Sequence, residues 1–168
     1  MGAVNLARVD ERLIHGQVML TLSQRDGVNS IFVVDDVVAK DKFMKDLYKS
    51  AGSRTGQKTI VMTEEKCKFY WDEFKFKEYS AILITKTVTG IYNLVKHGVP
   101  IKDLNIGGIA KKGDDDILVT KSVYLNKADA LKLKELNEEF PGVTTILKYF
   151  ETTKMTEVWS EVLKRKKI

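Results

Sequence analysis

The chain of 168 residues holds one cysteine, two prolines and two histidines. A single thiol excludes an intramolecular disulfide and with it the braced architecture of small secreted domains, so a reducing, cytoplasmic setting is expected. Two prolines, Pro100 and Pro141, leave no proline-rich linker, and no repeat or low-complexity tract is present. One domain over residues 1–168 is therefore expected. Long apolar runs are missing too. Ile31-Phe32-Val33-Val34 and Ala81-Ile82-Leu83-Ile84 are among the longest, far short of the roughly 20 residues that a membrane helix needs. The first residues, MGAVNLAR, set no basic region ahead of an apolar stretch, so no secretory leader is expected.

Neither sign of charge dominates: 28 lysines and arginines face 23 aspartates and glutamates, a formal balance of +5. That suits phosphate, an acidic protein surface or nucleic acid, and selects none of them. The one dense basic cluster, Lys164-Arg165-Lys166-Lys167, closes a helical pattern, where cations favour the negative end of the helix dipole.

What the sequence does contain is an alternation of short β-branched runs with stretches of helical period, the pattern of an α/β fold. Candidate strands are residues 4–9, 31–35, 59–62, 81–85, 104–106, 117–120 and 144–149. Several are apolar throughout, as expected of a mainly parallel sheet of about seven strands covered by helices on both faces. Helical stripes run through Met44, Leu47, Tyr48 and Ala51, and through Cys67, Tyr70, Trp71 and Phe74. Asn126 caps a run through Leu133, Leu136 and Phe140 that Pro141-Gly142 stops, and a last helix is expected to carry Met155, Val158, Trp159, Val162 and Leu163 on one face. Cys67 lies on an apolar stripe with no phosphate-loop spacing after it, which fits an inert buried thiol.

The two histidines both precede glycine. His97 ends a helical stretch and is followed by Gly98 and Pro100, a combination that stops helices. His15 sits differently, in ARVDERLIHGQV, residues 7–18, between a strand ending at Val9 and a helix through Val18, Met19 and Leu22. That loop lies at the carboxyl end of a strand and leads into a helix start, where open α/β sheets bind ligands and free N–H groups suit an anion. Arg8 and Arg12 add fixed positive charge, Asp10 or Glu11 can accept a ring N–H and so leave the other nitrogen as a nucleophile, and Gly16 admits close approach. A solvated loop histidine is the competing reading.

The stretch RVDERLIHGQV, residues 8–18, resembles the N-terminal motif of the IIB component of the mannose/fructose/sorbose family of bacterial sugar phosphotransferase systems. VVDDVVAKD, residues 33–41, and LNIGGIAKK, residues 104–112, fall where that family has similar acidic and Asn-x-Gly-Gly segments. The resemblance implies a phosphocarrier that takes a phosphoryl group from the phosphohistidine of a IIA partner and gives it to a sugar entering through membrane components IIC and IID. It carries no cofactor or metal, works in the cytoplasm beside the permease, and leaves homo-oligomerisation open. His15 becomes the phosphorylated nucleophile through Nδ1, with Arg12 stabilising the transferring group, Asp10 orienting the ring, and Gly16 and Gln17 supplying loop and helix-start contacts. Weaker candidates are Arg8, which on its strand could instead pair with a carboxylate, Asp36 beside Asp35, Lys86, and the Gly107-Gly108 turn after Asn105. SAGSRTGQ, residues 50–57, lacks a proline the family often carries, and no tryptophan stands near Leu20 to Leu22, departures that bear on the sugar rather than the mechanism.

Rival classes are distinguishable. A histidine phosphatase would show arginine directly before His-Gly, where Ile14 stands, and further histidine partners. A nucleic-acid-binding domain would show an aromatic strand signature or a helix motif, and none is present.

Overall fold

Strand β2 (Ser30–Val34) is buried at every position, because helices cover both of its faces. In a computed structural model that describes residues 1–147 and 157–168, its side chains alternate between two cores. Ile31 and Val33 join one, Phe32 and Val34 the other. Strand β4 (Ser80–Thr85) alternates likewise, with Ile82 and Ile84 on the first side and Ala81 and Leu83 on the second. This is the period-two geometry of a strand buried on both faces.

The main sheet has seven strands in the order β3-β2-β4-β1-β5-β8-β9. β1 is Ala3–Val9, β3 Lys58–Met62, β5 Asp103–Ile106 and β8 Thr144–Leu147. The first six strands of that order run parallel, and the short β9 (Glu157–Val158) pairs antiparallel to β8. Helices α1 (Gly16–Ser23), α2 (Asp36–Lys40) and α3 (Lys42–Ser53) cover one face, where Met19, Leu22, Val38, Met44, Tyr48 and Ala51 pack. α4 (Glu64–Phe74), α5 (Val88–His97), α6 (Lys127–Glu139) and α7 (Trp159–Lys166) cover the other. Their contributions include Cys67, Ile91, Leu94, Leu133 and Trp159.

The expected fold class holds, with two adjustments. The run Ile117–Thr120 is a strand, β6, but it pairs antiparallel with β7 (Val123–Leu125) in a separate hairpin. The seventh strand of the main sheet is instead β9, so Val158, expected on the last helix, belongs to a strand and α7 starts at Trp159. Residues 148 and 149 of the expected last parallel strand and Met155 of the expected helix lie outside the described residues.

Five of the described helix starts have a local cause. Asp35, Asp41, Thr63, Thr87 and Asn126 each accept a hydrogen bond from a backbone N–H in the first turn of their helix, satisfying donors that the helix cannot. His97 closes α5 as its sequence implies. Gly98 takes a left-handed φ of 96°, the N–H groups of Gly98 and Val99 bond back to Val95 and Leu94, and the His97 ring meets Asp72 at 2.7 Å.

Phe32 is wholly buried on a central strand, edge-on to Phe76 and Tyr79. Phe32→Ala should lower stability by about 3–5 kcal/mol, readable as a shifted urea midpoint with an unchanged slope.

Candidate functional site

The loop after β1 is clamped on two sides. The N–H of Asp10 donates to the Thr85 carbonyl at the end of β4 (3.0 Å), and that of Glu11 donates to the Gly108 carbonyl beyond β5 (3.0 Å). Leu13 then turns the chain with a φ of 54°, its N–H bonding the Asp10 carbonyl at 2.9 Å. A bulky residue pays roughly 1–2 kcal/mol for that conformation, and full burial of the Leu13 side chain with Ile14 beneath α1 offsets it. His15 follows as the N-cap of α1 in extended conformation, with no side-chain cap bond, and Gly16 begins the helix at a φ of 46°.

Asp10 is the hub. Its carboxylate is fully buried. Oδ2 accepts from Arg8 Nη2 at 2.7 Å and meets His15 Nε2 at 2.9 Å, while Oδ1 accepts from the Arg12 N–H at 3.0 Å and from Arg12 Nε at 3.3 Å. Burial by itself would raise the pKa of Asp10. The His15 hydrogen bond, the charge of Arg8 and the bonds from Arg12 and Arg8 outweigh it and hold the carboxyl at about 2. An ionised carboxylate only accepts, so Nε2 of His15 carries the hydrogen and the lone pair of the neutral ring lies on Nδ1.

Arg8 is as buried as Asp10. Burial pulls its pKa below the usual guanidinium range against the opposing pull of Asp10. Its Nη1 bonds Asn105 Oδ1, and Asn105 Nδ2 in turn donates to the Ile146 carbonyl at 3.3 Å. The strand arginine thus pairs with a carboxylate, the alternative its position suggested. Asn105, expected on the strand 104–106 ahead of the glycine turn, is its buried partner across the β1–β5 pairing.

Gly107 and Gly108 roof this pair. A Cβ on Gly107 would sit 2.4 Å from Arg8 Nη2 and 2.8 Å from Asp10 Oδ2, whereas one on Gly108 would meet only the end of Arg12 at 3.2 Å. Their N–H groups are taken up within the protein. That of Gly107 donates to the Val9 carbonyl at 2.7 Å, and that of Gly108 to Asp10 Oδ2 at 3.4 Å. Glu11, the other acceptor considered for the ring, faces away and pairs with Lys112 at 2.5 Å.

Asp36 and Lys86 do not join the site. β4 stands between β1 and β2, so the ends of β2 and β4 form a separate cleft of about 190 Å³ lined by Asp35, Asp36, Glu64, Lys86 and Thr87. Asp36 Oδ1 there accepts the Glu64 N–H at 2.8 Å and Asp35 caps α2, which is structural duty. His15 opens instead on a cleft of about 370 Å³ between α1 and the end of α3, lined by Ile14, Gly16, Met19, Leu20, Ala51, Arg54 and Thr55. Arg54 and Thr55 carry no signal in sequence, being far from His15 along the chain. Gln17 lies in α1, and its side chain is outside the described part. Cys67 is buried, and burial pushes its thiol up to about 12, which makes it inert.

Two stability measurements follow. Gly107→Ala should cost about 1–3 kcal/mol by overpacking while Gly108→Ala stays within about 0.5 kcal/mol, compared by urea unfolding. Because the folded pKa of Asp10 lies below its ordinary value, its ionisation stabilises the fold at neutral pH, and that contribution is lost as pH falls from about 4 towards 2. Wild type should lose on the order of 2 kcal/mol across that window that Asp10→Asn does not, read from denaturation at each pH.

Comparison with known proteins identifies the family. The family model described as PTS system sorbose subfamily IIB component matches residues 4–168. The sorbose-specific EIIB component of Lacticaseibacillus casei is 31% identical over 95% of this chain and 94% of its own length. The mannose-specific EIIAB component of Escherichia coli strain K12 is 31% identical over 80% of this chain and 41% of that longer protein. The crystal structure of manxB from Thermoanaerobacter tengcongensis superposes with a TM-score of 0.87 at 30% identity, over 98% of this chain and 97% of that one. A family model that matches residues 4–168, with a relative and a solved structure that each cover nearly the whole chain, places the chain in the sorbose subfamily of IIB components of the phosphotransferase system.

Proposed function

We propose that the chain, as one IIB domain over residues 1–168, carries a phosphoryl group on Nδ1 of His15, received from a phosphohistidine of a IIA protein or domain and passed to a sugar. One observation carries this reading. Asp10 Oδ2 occupies Nε2 of His15 at 2.9 Å, which leaves the lone pair on Nδ1 at the uncapped start of α1. The free N–H groups of that first turn and the dipole behind them favour a phosphate oxygen.

The Nδ1 lone pair attacks phosphorus in line with the donor's P–N bond, which breaks and leaves its electron pair on the donor ring. No proton has to move on His15, because Asp10 keeps the hydrogen on Nε2 and balances the charge that gathers on the ring. Arg12, more than half exposed and tied to Asp10 through Nε, would offer its terminal guanidinium nitrogens to the equatorial oxygens, where positioning and charge make up most of the catalysis. In the second half-reaction a sugar hydroxyl attacks phosphorus in line with the Nδ1–P bond, which breaks and returns its electron pair to Nδ1, while the hydroxyl proton passes to solvent water and neutral His15 is released.

The partners follow from this role. A relative that combines EIIA and EIIB in its name supports a IIA donor, and the membrane IIC and IID components would present the sugar. No helix among the described residues is long and apolar enough to cross a membrane, so the domain would work at the cytoplasmic face of such a permease. Relatives named for sorbose and for mannose leave the sugar open.

Incubation with a phosphorylated IIA protein, followed by peptide mass spectrometry at alkaline pH, should find the label on His15 and none in His15→Ala. Label elsewhere, or undiminished label in the variant, would sink the reading. Arg12→Ala should slow transfer about 10- to 100-fold in rapid-quench kinetics while its circular dichroism stays unchanged.

A further inference from the structure

A phosphoryl group on His15 brings about 1.5 to 2 negative charges near neutral pH. Arg8 is taken up by Asp10, and Lys112 by Glu11. Arg12 supplies one positive charge, and part of it is directed at Asp10 Oδ1. A second fixed side-chain cation facing the phosphoryl group would favour its dianion.

The cleft beside His15 contains one. Arg54 lines the same cavity as His15, Gly16 and Leu20, and its exposed guanidinium pairs with no carboxylate among the described residues. Its place is fixed by packing. Gly52 lies so close to β3 that a Cβ there would sit 1.9 Å from Thr59 Oγ1, which pins the end of α3 to the sheet. Thr55 Oγ1 bonds the Gly52 carbonyl at 2.7 Å, and Gln57 Nε2 bonds the Ser23 carbonyl at 3.1 Å, tying the segment that bears Arg54 to the end of α1. Aliphatic side chains and a single hydroxyl make up most of the remaining lining, with no aromatic platform for a sugar ring beyond His15 itself.

We propose that Arg54 is a second cationic contact for the phosphoryl group on His15, reaching it from the cleft while Arg12 reaches it from the Gly108 side. This inference rests on the phosphocarrier reading. It makes Arg54 a binding residue that the His15 motif does not contain, supplied by a segment some forty residues downstream. The two arginines together balance the dianion, and a protein donor or a sugar acceptor must approach between them.

The test avoids any partner protein. Potassium phosphoramidate phosphorylates histidine chemically, and a His97→Gln background leaves His15 as the one histidine. The phosphorus-31 chemical shift, followed against pH, then reports the second ionisation of the phosphoryl group. A nearby cation favours the dianion, so Arg54→Ala should raise that pKa by about half a unit. Arg54→Lys should restore it, and Lys49→Ala, which removes an exposed charge from the same helix, should leave it in place. Equal titration of Arg54→Ala and wild type, or an equal rise in Lys49→Ala, overturns the inference. Absence of label on His15 in the wild-type chain overturns the phosphocarrier reading and this inference with it, whereas label with an unmoved titration removes only the role of Arg54.

Discussion

The buried carboxylate of Asp10 is the constraint on which the site depends. It is ionised although buried from bulk solvent, and it survives there because Arg8, the Arg12 backbone and His15 all bond it. Removing one partner of such a pair leaves an uncompensated buried charge, an outcome far more costly than the net worth of the pair. The same carboxylate therefore fixes the fold of the loop and the tautomer of the histidine. Structure and chemistry are coupled through one group.

The sheet supplies what Asp10 cannot. Strand β1 lies at the centre, with β4 on one side and β5 on the other, and each neighbour holds one backbone group of the loop. Helix α1 leaves β1 on one face of the sheet while α5 leaves the adjacent β4 on the other, a divergence that opens the crevice where ligands of open α/β sheets bind. A strained Leu13 is tolerated there because the surrounding core over-determines it, and Gly107 and Gly108 stand where a Cβ would come within 3.5 Å of a charged side chain.

Much of this was legible along the chain, for reasons that are themselves local. Strand runs such as SIFVV and SAILIT, helix caps at Asp35, Thr87 and Asn126, and the stop at Gly98 express short-range sterics and hydrogen bonding. The pairing of Arg8 with Asp10 spans two residues and was one of two readings the motif allowed. Which strands pair was not legible. Ile117–Thr120 has the composition of a sheet strand, but its neighbour is the hairpin partner Val123–Leu125, and Val158 continues a helical stripe yet pairs with Ile146.

The sequence by itself determined the class of the fold, the loop that bears His15 and the family, because strand period, helix caps and an eleven-residue motif are properties of contiguous residues. The tertiary structure decided which charges share the site. Asn105 reaches Arg8 only because β5 pairs with β1, Gly107 must be glycine only because Arg8 and Asp10 pack against it, and Asp36 is kept from the site only because β4 lies between β2 and β1. Arg54 joins His15 only because α3 ends beside α1. Contacts between residues dozens of positions apart are set by how the strands order and the helices pack, and no local pattern in the chain encodes that order.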